Sequence, residues 1–261
     1  MSYLDIDPWR LLLVLMLLVV TSTTVSRWAG LGLEKDLMVG ALRGAVQLLA
    51  VGYFLVLLFA HQHSLSVLGV LGVMLCVAAW TSARRVEKGP PQRVLALACL
   101  AAIASGAAVA LVPVFALVIR PTPWFEAQYV IPISGMIFAN AMNVVAQLNE
   151  RIFAAADTDR AEIEQWLALG ATPRQALARH VREALRASLI PTINSLLTVG
   201  LVSLPGMMTG QIVSGTAPEH AIRYQLVILY QLVIVAAVSG GVAAYLARRM
   251  LFDTREQLRR F

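Results

Sequence analysis

Long hydrophobic runs separated by short polar connections are the main pattern along this chain. Seven runs of roughly 18–26 residues are each long enough to cross a hydrocarbon core about 30 Å thick as a helix. They lie at 9–26, 37–59, 65–82, 94–119, 129–148, 189–213 and 222–247. Helices are the expected element because no backbone group can stay unpaired in lipid. The pattern predicts an all-α integral membrane protein with about seven transmembrane helices.

Composition supports this class. Of 261 residues, 59% are hydrophobic and 14% are charged, against about 45–50% and about 25% in soluble domains. No linker divides the chain, so residues 1–261 are expected to form a single transmembrane domain in the plasma membrane. Asp5 and Asp7 precede the first run and have the wrong sign for a cleaved signal peptide, so we expect that run to be retained.

The basic residues predict an orientation. Seventeen Lys and Arg residues fall in one set of connections and three, Arg10, Arg120 and Arg223, in the other. Because basic loops stay in the cytoplasm, the N-terminus is expected outside, and the C-terminus and the 149–188 connection in the cytoplasm. The formal net charge of +6 is explained largely by these basic connections, which also favour contact with anionic lipid of the bilayer. It requires no nucleic acid partner.

The stretch 159–189, DRAEIEQWLALGATPRQALARHVREALRASL, is an amphipathic pair of helices set between two hydrophobic runs. Gly170 is a natural end for the first helix because glycine adopts the left-handed conformation readily. Thr172 can cap the second helix, with Pro173 at its first position and Gln175 three residues after the cap. A pair of amphipathic helices in a cytoplasmic connection is a place where a membrane protein can bind a cytoplasmic partner.

Several catalytic signatures are absent from the sequence. It contains no G-x-x-x-x-G-K-[ST] phosphate loop, no H-E-x-x-H zinc motif and no G-x-S-x-G nucleophile elbow. The seven runs contain no Asp or Glu, which argues against an intramembrane aspartyl protease and a proton-coupled antiporter. We therefore expect a protein that is not an enzyme. If it drives transport with ATP, the ATPase must be another chain.

Polar residues inside the fifth run share one helix face. Asn140, Asn143 and Gln147 are spaced i, i+3 and i+7, and uncharged amides in lipid are unfavourable unless they find partners. The face either bonds to neighbouring helices or lines a transport pathway, and both can hold together.

The sixth run combines polar residues with a helix breaker. Asn194 and Thr198 are one turn apart, and Pro205-Gly206 interrupts the outer half, so a kink or unwound segment is expected around 201–206. The run can cross the membrane fully or re-enter. The thioether side chains of Met207 and Met208 follow the break, and they either pack against neighbouring helices or form part of a path for a transition-metal ion. The candidate pathway residues are Asn140, Asn143, Gln147, Asn194, Thr198, Pro205, Gly206, Met207 and Met208.

Metal-ligating residues are sparse. His61, His63 and His220 fall on the predicted outer side and are candidates for a weak metal-release site, with solvated loop histidines as the alternative. Cys76 and Cys99 lie at similar depth in successive runs. They are expected to pack as small hydrophobic side chains rather than bind metal.

Two stretches resemble known transporters. In EQWLALGATPRQA, Glu164 is followed six residues later by Gly170, as in the coupling helix of ABC transporter permeases, with Gln165 and Trp166 in place of the two usual alanines. IPTINSLLTVGLVSLPGMMTGQIVSG, LEKDL (33–37) and RGAVQLLAVGY (43–53) look like the Fet-type iron-export permeases. That family also includes the plant aluminium-tolerance permeases.

The resemblance implies a multi-pass permease, in the cell inner membrane if bacterial, that works with a separate ATP-binding cassette subunit, with two copies of each. ATP and Mg would be bound by that partner, and this chain would bind no cofactor. The substrate would be iron or another metal ion, whereas the plant members are linked to UDP-glucose or aluminium. The implied coupling residues are Glu164, Trp166, Leu169, Gly170, Ala171, Thr172 and Pro173.

Other interpretations remain open. The chain could be a secondary transporter or channel that needs no ATPase, or an ABC permease for a nucleotide sugar or another small molecule. A membrane scaffold or sensor would explain the 159–189 stretch but not the polar runs. The direction of transport rests on the resemblance alone.

Overall fold

The structure is a computed structural model that describes residues 7–60, 63–253 and 255–260. In these residues it contains ten α-helices, a six-residue π-helical segment and no strand. The α-helices are α1 (Pro8–Trp28), α2 (Glu34–Ala60), α3 (Ser64–Arg84), α4 (Gln92–Pro113), α5 (Ala127–Thr158), α6 (Arg160–Ala168), α7 (Pro173–Ala176), α8 (Ala178–Thr198), α9 (Gly206–Val213) and α10 (Pro218–Leu251). The π-helical segment, Val114–Ile119, continues α4. The predicted all-helical class is confirmed.

Six helices in the described part of the chain are long and apolar enough to cross a membrane: α1, α2, α3, α4 with its π-helical end, α5 and α10. The protein is a multi-pass membrane protein. The predicted count of seven is not confirmed, because the sixth run is not one continuous helix. Its helical parts, 189–198 and 206–213, would extend about 15 Å and about 12 Å, and each is shorter than the hydrocarbon core.

The chain divides into two units, Met1–His61 and Gln62–Phe261. In the first unit α1 pairs with α2. Their connection is fixed by Ser26, whose hydroxyl donates to the Glu34 carboxylate (3.3 Å) and accepts from the Leu33 backbone N–H (3.2 Å). Most apolar side chains of these two helices are exposed, as expected for a surface that faces lipid or another protein.

The second unit is built around α10. This helix packs against α4 and α5, α3 packs against the same two helices, and α8 packs against α5 and α10. The tightest approach is at Gly106 of α4, where a Cβ atom would lie 2.9 Å from the Ser239 Cβ and 3.0 Å from the Val235 carbonyl oxygen of α10. Small residues at such crossings let helix backbones approach closely, which is how membrane helices gain packing energy.

Buried polar side chains also join the helices of the second unit. The Ser82 hydroxyl of α3 donates to the Met142 carbonyl of α5 (3.0 Å). The Gln231 amide of α10 donates to the Ala110 carbonyl of α4 (3.1 Å). Since these groups lie in a nonpolar interior, each bond satisfies a side-chain donor that would otherwise be costly to bury.

Candidate functional site

The connection after α5 folds into the two-helix device that the sequence predicts. The helix α6 ends at Ala168, and Gly170 follows in the left-handed conformation with φ of 88°. The Gly170 N–H donates to the Leu167 carbonyl (3.0 Å) and the Ala171 N–H to the Trp166 carbonyl (3.0 Å). These two bonds form the Schellman motif that ends many helices at a glycine. The predicted helix end at Gly170 is confirmed.

The start of the second helix is also as predicted. The Thr172 hydroxyl accepts the Gln175 backbone N–H (3.4 Å), and the Gln175 side chain accepts the Thr172 N–H (2.9 Å). This is a capping box, with Pro173 at the first helical position. The helix is interrupted after one turn, since α7 ends at Ala176 and α8 begins at Ala178. The turn that joins the two helices is therefore tightly defined by local bonds.

Burial separates the side chains of this segment into anchors and free surface. Ile163 of α6 and Leu177 before α8 are fully buried and attach the segment to the helical body. Trp166 is 52% exposed and Leu169 is 82% exposed. Two large apolar side chains beside a tight turn are therefore available to another surface.

The charged residues around this segment pair with one another. Glu164, the acidic residue of the coupling motif, lies 2.8 Å from the Arg160 guanidinium of its own helix. Glu162 lies 2.7 Å from Arg179 of α8. The motif glutamate therefore stabilises α6 and is not presented alone to a partner.

A buried histidine, not singled out from the sequence, fixes the corner between α5 and α6. The His180 imidazole is buried, and its Nε2 lies 3.0 Å from the Asp159 carboxylate. Nearby, Lys88 reaches Asp157 of α5 at 2.7 Å, and this hydrogen bond and the charge of Asp157 raise the pKa of the Lys88 ammonium. Both pairs join segments that are distant in sequence, so no local pattern indicated them.

Asn140 connects three helices. Its Nδ2 donates to the Leu232 carbonyl of α10 (2.8 Å), and its Oδ1 accepts from the Thr192 hydroxyl of α8 (3.1 Å). The polar face of the fifth run was expected either to bond to neighbouring helices or to line a transport pathway, and the Asn140 bonds are of the first kind. The sequence pattern did not indicate that Thr192 would be the donor to the Asn140 Oδ1.

The other polar candidates of the fifth and sixth runs lie in different surroundings. Asn143 is exposed and Gln147 is half-buried. Asn194 is exposed, and the Thr198 hydroxyl donates to the Asn194 carbonyl of its own helix (2.8 Å).

The predicted break in the sixth run is present and begins two residues earlier than expected. The helix α8 ends at Thr198, and residues 199–205 are irregular up to the start of α9. The Gly200 N–H donates to the Ser203 carbonyl (2.9 Å) and the Val202 N–H to the Thr198 carbonyl (2.9 Å). Because the turn satisfies part of its own backbone, an irregular segment becomes less costly at membrane depth.

A cavity of about 360 Å³ lies between this break and α10. Its lining is almost entirely apolar and consists of Val199, Gly200, Leu204, Pro205, Met208, Ile222, Gln225, Leu226 and Leu229. Pro205 and Met208 are thus brought together, whereas Gly206 and Met207 lie outside the lining.

Gln225 is the polar member of this lining, and the candidate set did not include it. Its side chain is 8% exposed, and its Oε1 is buried with no hydrogen-bond partner among the residues that the structure describes. A buried amide oxygen without a donor is costly in an apolar cavity. The sequence feature that could have identified Gln225 is an amide side chain within an otherwise apolar run.

The metal candidates are dispersed. His61 lies outside the described residues, His63 precedes α3, and His220 lies in the first turn of α10. Across 7–60, 63–253 and 255–260, no group of three or more His, Cys, Asp or Glu side chains could hold a metal ion. The two cysteines are free, and the buried Cys99 thiol accepts from the Asn149 amide (3.4 Å).

Comparisons with known proteins give the chain its relatives. Residues 9–252 match the uncharacterised protein family UPF0014. A probable iron export permease protein, FetB of Escherichia coli, is 38% identical over 248 residues, covering 93% of this chain and 92% of the relative. The UPF0014 membrane protein slr1647 of Synechocystis sp. is 38% identical over 232 residues, covering 89% of each chain.

A plant relative extends the same similarity. Protein ALUMINUM SENSITIVE 3 of Arabidopsis thaliana is 33% identical over 253 residues, covering 97% of this chain and 89% of the relative. No solved structure matches the chain. The resemblance seen in the sequence motifs is thus confirmed by relatives that cover nearly the whole chain, and the protein belongs to the UPF0014 membrane protein family, together with the FetB permease and the plant aluminium-sensitivity protein.

Proposed function

We propose that this chain is the permease subunit of an ABC-type exporter that moves iron or another metal ion, driven by a separate ATP-binding subunit. The observation that carries the proposal is the coupling segment, residues 159–189. It presents Trp166 and Leu169 beside a tight turn, on a chain whose sequence has no phosphate loop. The Escherichia coli relative is a probable iron export permease protein, which supports the choice of substrate.

The topology and assembly belong to the same proposal. Residues 1–261 act as one permease domain, with the N-terminus outside, the C-terminus in the cytoplasm, and the α8–α9 segment supplying a seventh, interrupted passage. Two permease chains assemble with two ATPase subunits, which bind ATP and Mg, while this chain itself catalyses no reaction. The excess of basic residues in one set of connections supports this orientation.

The mechanism follows from how the segment is attached. The ATPase receives Trp166 and Leu169, while Ile163 and Leu177 hold the segment to α5 and α8. A displacement of the segment on ATP binding would then reach α8 and α10 through the Asn140 bonds. The cavity lined by Pro205, Met208 and Gln225 is the position where the pathway would open or close. Such coupling requires that the ATPase contact differ between the two states.

Substitution of Gly170 tests the docking model. Any other residue at a φ of 88° costs about 1–2 kcal/mol in the left-handed conformation, and no atom lies within 4 Å of an added Cβ. Gly170→Ala should therefore weaken ATPase association through the backbone alone. Gly215→Ala is the matched control, because Gly215 has a φ of 93° at the end of α9, away from the coupling segment in sequence.

The measurement is co-purification with the phosphate-loop ATP-binding proteins of the same genome, tested one by one, followed by ATPase activity of the associating protein in proteoliposomes. We expect the Gly170→Ala variant to associate with the ATPase about 5- to 30-fold more weakly and to transport less, while it still inserts into the membrane. Trp166→Ala should lower ATPase affinity by about 30-fold, as for a typical aromatic hot spot. Equal association of both glycine variants with the ATPase would refute the docking model.

The same reconstituted system identifies the substrate. Iron and other divalent metal ions should stimulate ATP hydrolysis, and UDP-glucose should not. Stimulation by UDP-glucose alone would assign the chain to nucleotide-sugar transport instead. Transport in liposomes that contain only the permease would indicate a secondary transporter or channel.

A further inference from the structure

The chain continues beyond α10 into a folded C-terminal loop, residues 252–253 and 255–260. Phe252 and Leu258 face each other in an antiparallel bridge, and both are buried. The Asp253 N–H donates to the Gln257 carbonyl (3.0 Å), and the Arg259 N–H returns to the Leu251 carbonyl at the end of α10 (2.8 Å). The loop is therefore fixed to the end of α10 by its own bonds and by two apolar side chains.

One side chain attaches this loop to the coupling segment. Arg160, the first residue of α6, donates through its two terminal nitrogens to the Leu258 carbonyl (2.7 Å) and the Arg259 carbonyl (2.9 Å). Its third nitrogen, Nε, lies 2.8 Å from the Glu164 carboxylate as an ion pair, without hydrogen-bond geometry. The guanidinium is therefore fixed by the fork of its two terminal donors. Arg160 thus joins α6 to a segment 98 residues away in sequence.

The contact creates a groove of about 710 Å³ with two walls. Coupling-segment residues such as Glu164, Leu167 and Ala171 form one wall, and loop residues such as Arg255 and Arg260 form the other. Leu167 follows the exposed Trp166, and Ala171 lies two residues after the exposed Leu169. The groove therefore lies next, along the chain, to the residues that we assign to ATPase docking.

The charge of the groove indicates its partner. Arg160 and Glu164 pair with each other, which leaves Arg255, Arg260 and Glu256 along the loop wall. All three are exposed, and neither arginine makes an ion pair with any residue that the structure describes. The remaining charge is positive, and positive surfaces favour acidic partners through complementary potentials.

We propose that the C-terminal loop is a second docking surface for the ATPase, held in place by Arg160, and that the groove receives an acidic segment of that subunit. This proposal rests on the proposed function, because it assumes the same partner. It adds that the ATPase contacts the end of α10 as well as the turn at Gly170. Arg160 acts as a positioning residue, since its two bonds to the loop carbonyls orient the loop.

The decisive variant reverses the loop charge. Arg255→Glu with Arg260→Glu changes two exposed side chains and leaves the buried Phe252 and Leu258 in place, so the fold is retained. We expect about a tenfold loss of affinity for the ATP-binding cassette protein identified by co-purification and a weaker dependence of affinity on salt. Arg84→Glu with Arg93→Glu is the matched control because both are exposed arginines outside the groove lining and outside the coupling segment, and this double reversal should change affinity less than twofold.

Arg160 variants test the positioning role. Arg160→Lys keeps the charge but cannot form the forked pair of bonds, so both Arg160→Lys and Arg160→Ala should increase hydrogen exchange of the loop amides and lower ATPase affinity. Normal exchange in both variants would overturn the assigned positioning role. Binding of the unchanged protein and of the loop-reversal variant to phosphatidylglycerol vesicles provides the comparison with a lipid partner.

The outcomes separate this proposal from the proposed function. If loop reversal leaves ATPase affinity unchanged while Gly170→Ala lowers it, the second surface is wrong and the proposed function stands. If loop reversal reduces vesicle binding but not ATPase affinity, the loop is a lipid contact and the proposal is wrong. If the unchanged protein does not bind the ATPase at all, the proposed function fails and the second surface fails with it.

Discussion

Removing the Asn140 side chain should destabilise the protein measurably, whereas removing Asn143 should not. Asn140→Ala deletes two inter-helix hydrogen bonds, to Leu232 and from Thr192. Hydrogen bonds between membrane helices average about 0.6 kcal/mol and reach about 1.7 kcal/mol, so the expected loss is about 1–3 kcal/mol. Asn143 is exposed, and its substitution by alanine should change stability by no more than about 0.5 kcal/mol.

The measurement is equilibrium unfolding of the purified full chain in detergent, together with the Thr192→Val variant. Thr192→Val removes one of the two bonds, so it should cost about half as much as Asn140→Ala. The double variant should be less destabilised than the sum of the two single variants, because they share that bond. Equal stability of the Asn140 and Asn143 variants would refute the reasoning. Transport adds a second readout: full activity of the Asn140→Ala, Asn143→Ala double variant would remove α5 from the pathway.

Three further predictions concern packing, the coupling turn and a peripheral ion pair. Gly106→Ala should destabilise the protein by about 1–3 kcal/mol because the new methyl group enters a filled helix crossing, while Gly241→Ala, with no atom within 4 Å of its Cβ, should be neutral or stabilising in the same unfolding assay. Gly170→Ala should increase hydrogen exchange of the last turn of α6, and unchanged exchange there would contradict the role of its left-handed conformation. Because Asp157 raises the pKa of Lys88 and Lys88 lowers the pKa of Asp157, the contribution of this pair is complete at neutral pH. It is lost as the pH rises through the raised pKa of Lys88 or falls through the lowered pKa of Asp157. Unfolding of the Lys88→Gln variant and the unchanged protein should therefore converge in strongly alkaline solution.

Features fixed by neighbouring residues were predictable from the sequence. The Schellman end at Gly170 and the capping box between Thr172 and Gln175 depend on residues within one helical turn, and both are present as expected. The long apolar runs likewise predict membrane helices, because hydrophobicity and length alone determine whether a helix can cross a bilayer. The sixth run is different, since Pro205-Gly206 indicated a break but not that α8 would end as early as Thr198.

Contacts between distant residues were not predictable from the same patterns. The shared face of Asn140, Asn143 and Gln147 follows from helical spacing, but spacing cannot show that Asn140 bonds to partners 52 and 92 residues away. The Arg160 contact with the C-terminal loop spans a similar distance. In each case the polar residue is visible in the sequence, and the packing of whole helices decides which group it meets.

The helix α10 gives the proposed exporter a physical connection between its two ends. At one end Gln225 lines the cavity beside the helix break, near the middle Leu232 accepts from Asn140, and at the other end the C-terminal loop accepts from Arg160 of the coupling segment. A continuous helix resists bending, whereas the irregular segment 199–205 depends on a few turn bonds. A force on the coupling segment would therefore move α10 as a body and concentrate the change at the break, as hinges in other proteins do. The cavity is thus the place where a small displacement at the ATPase would alter access most.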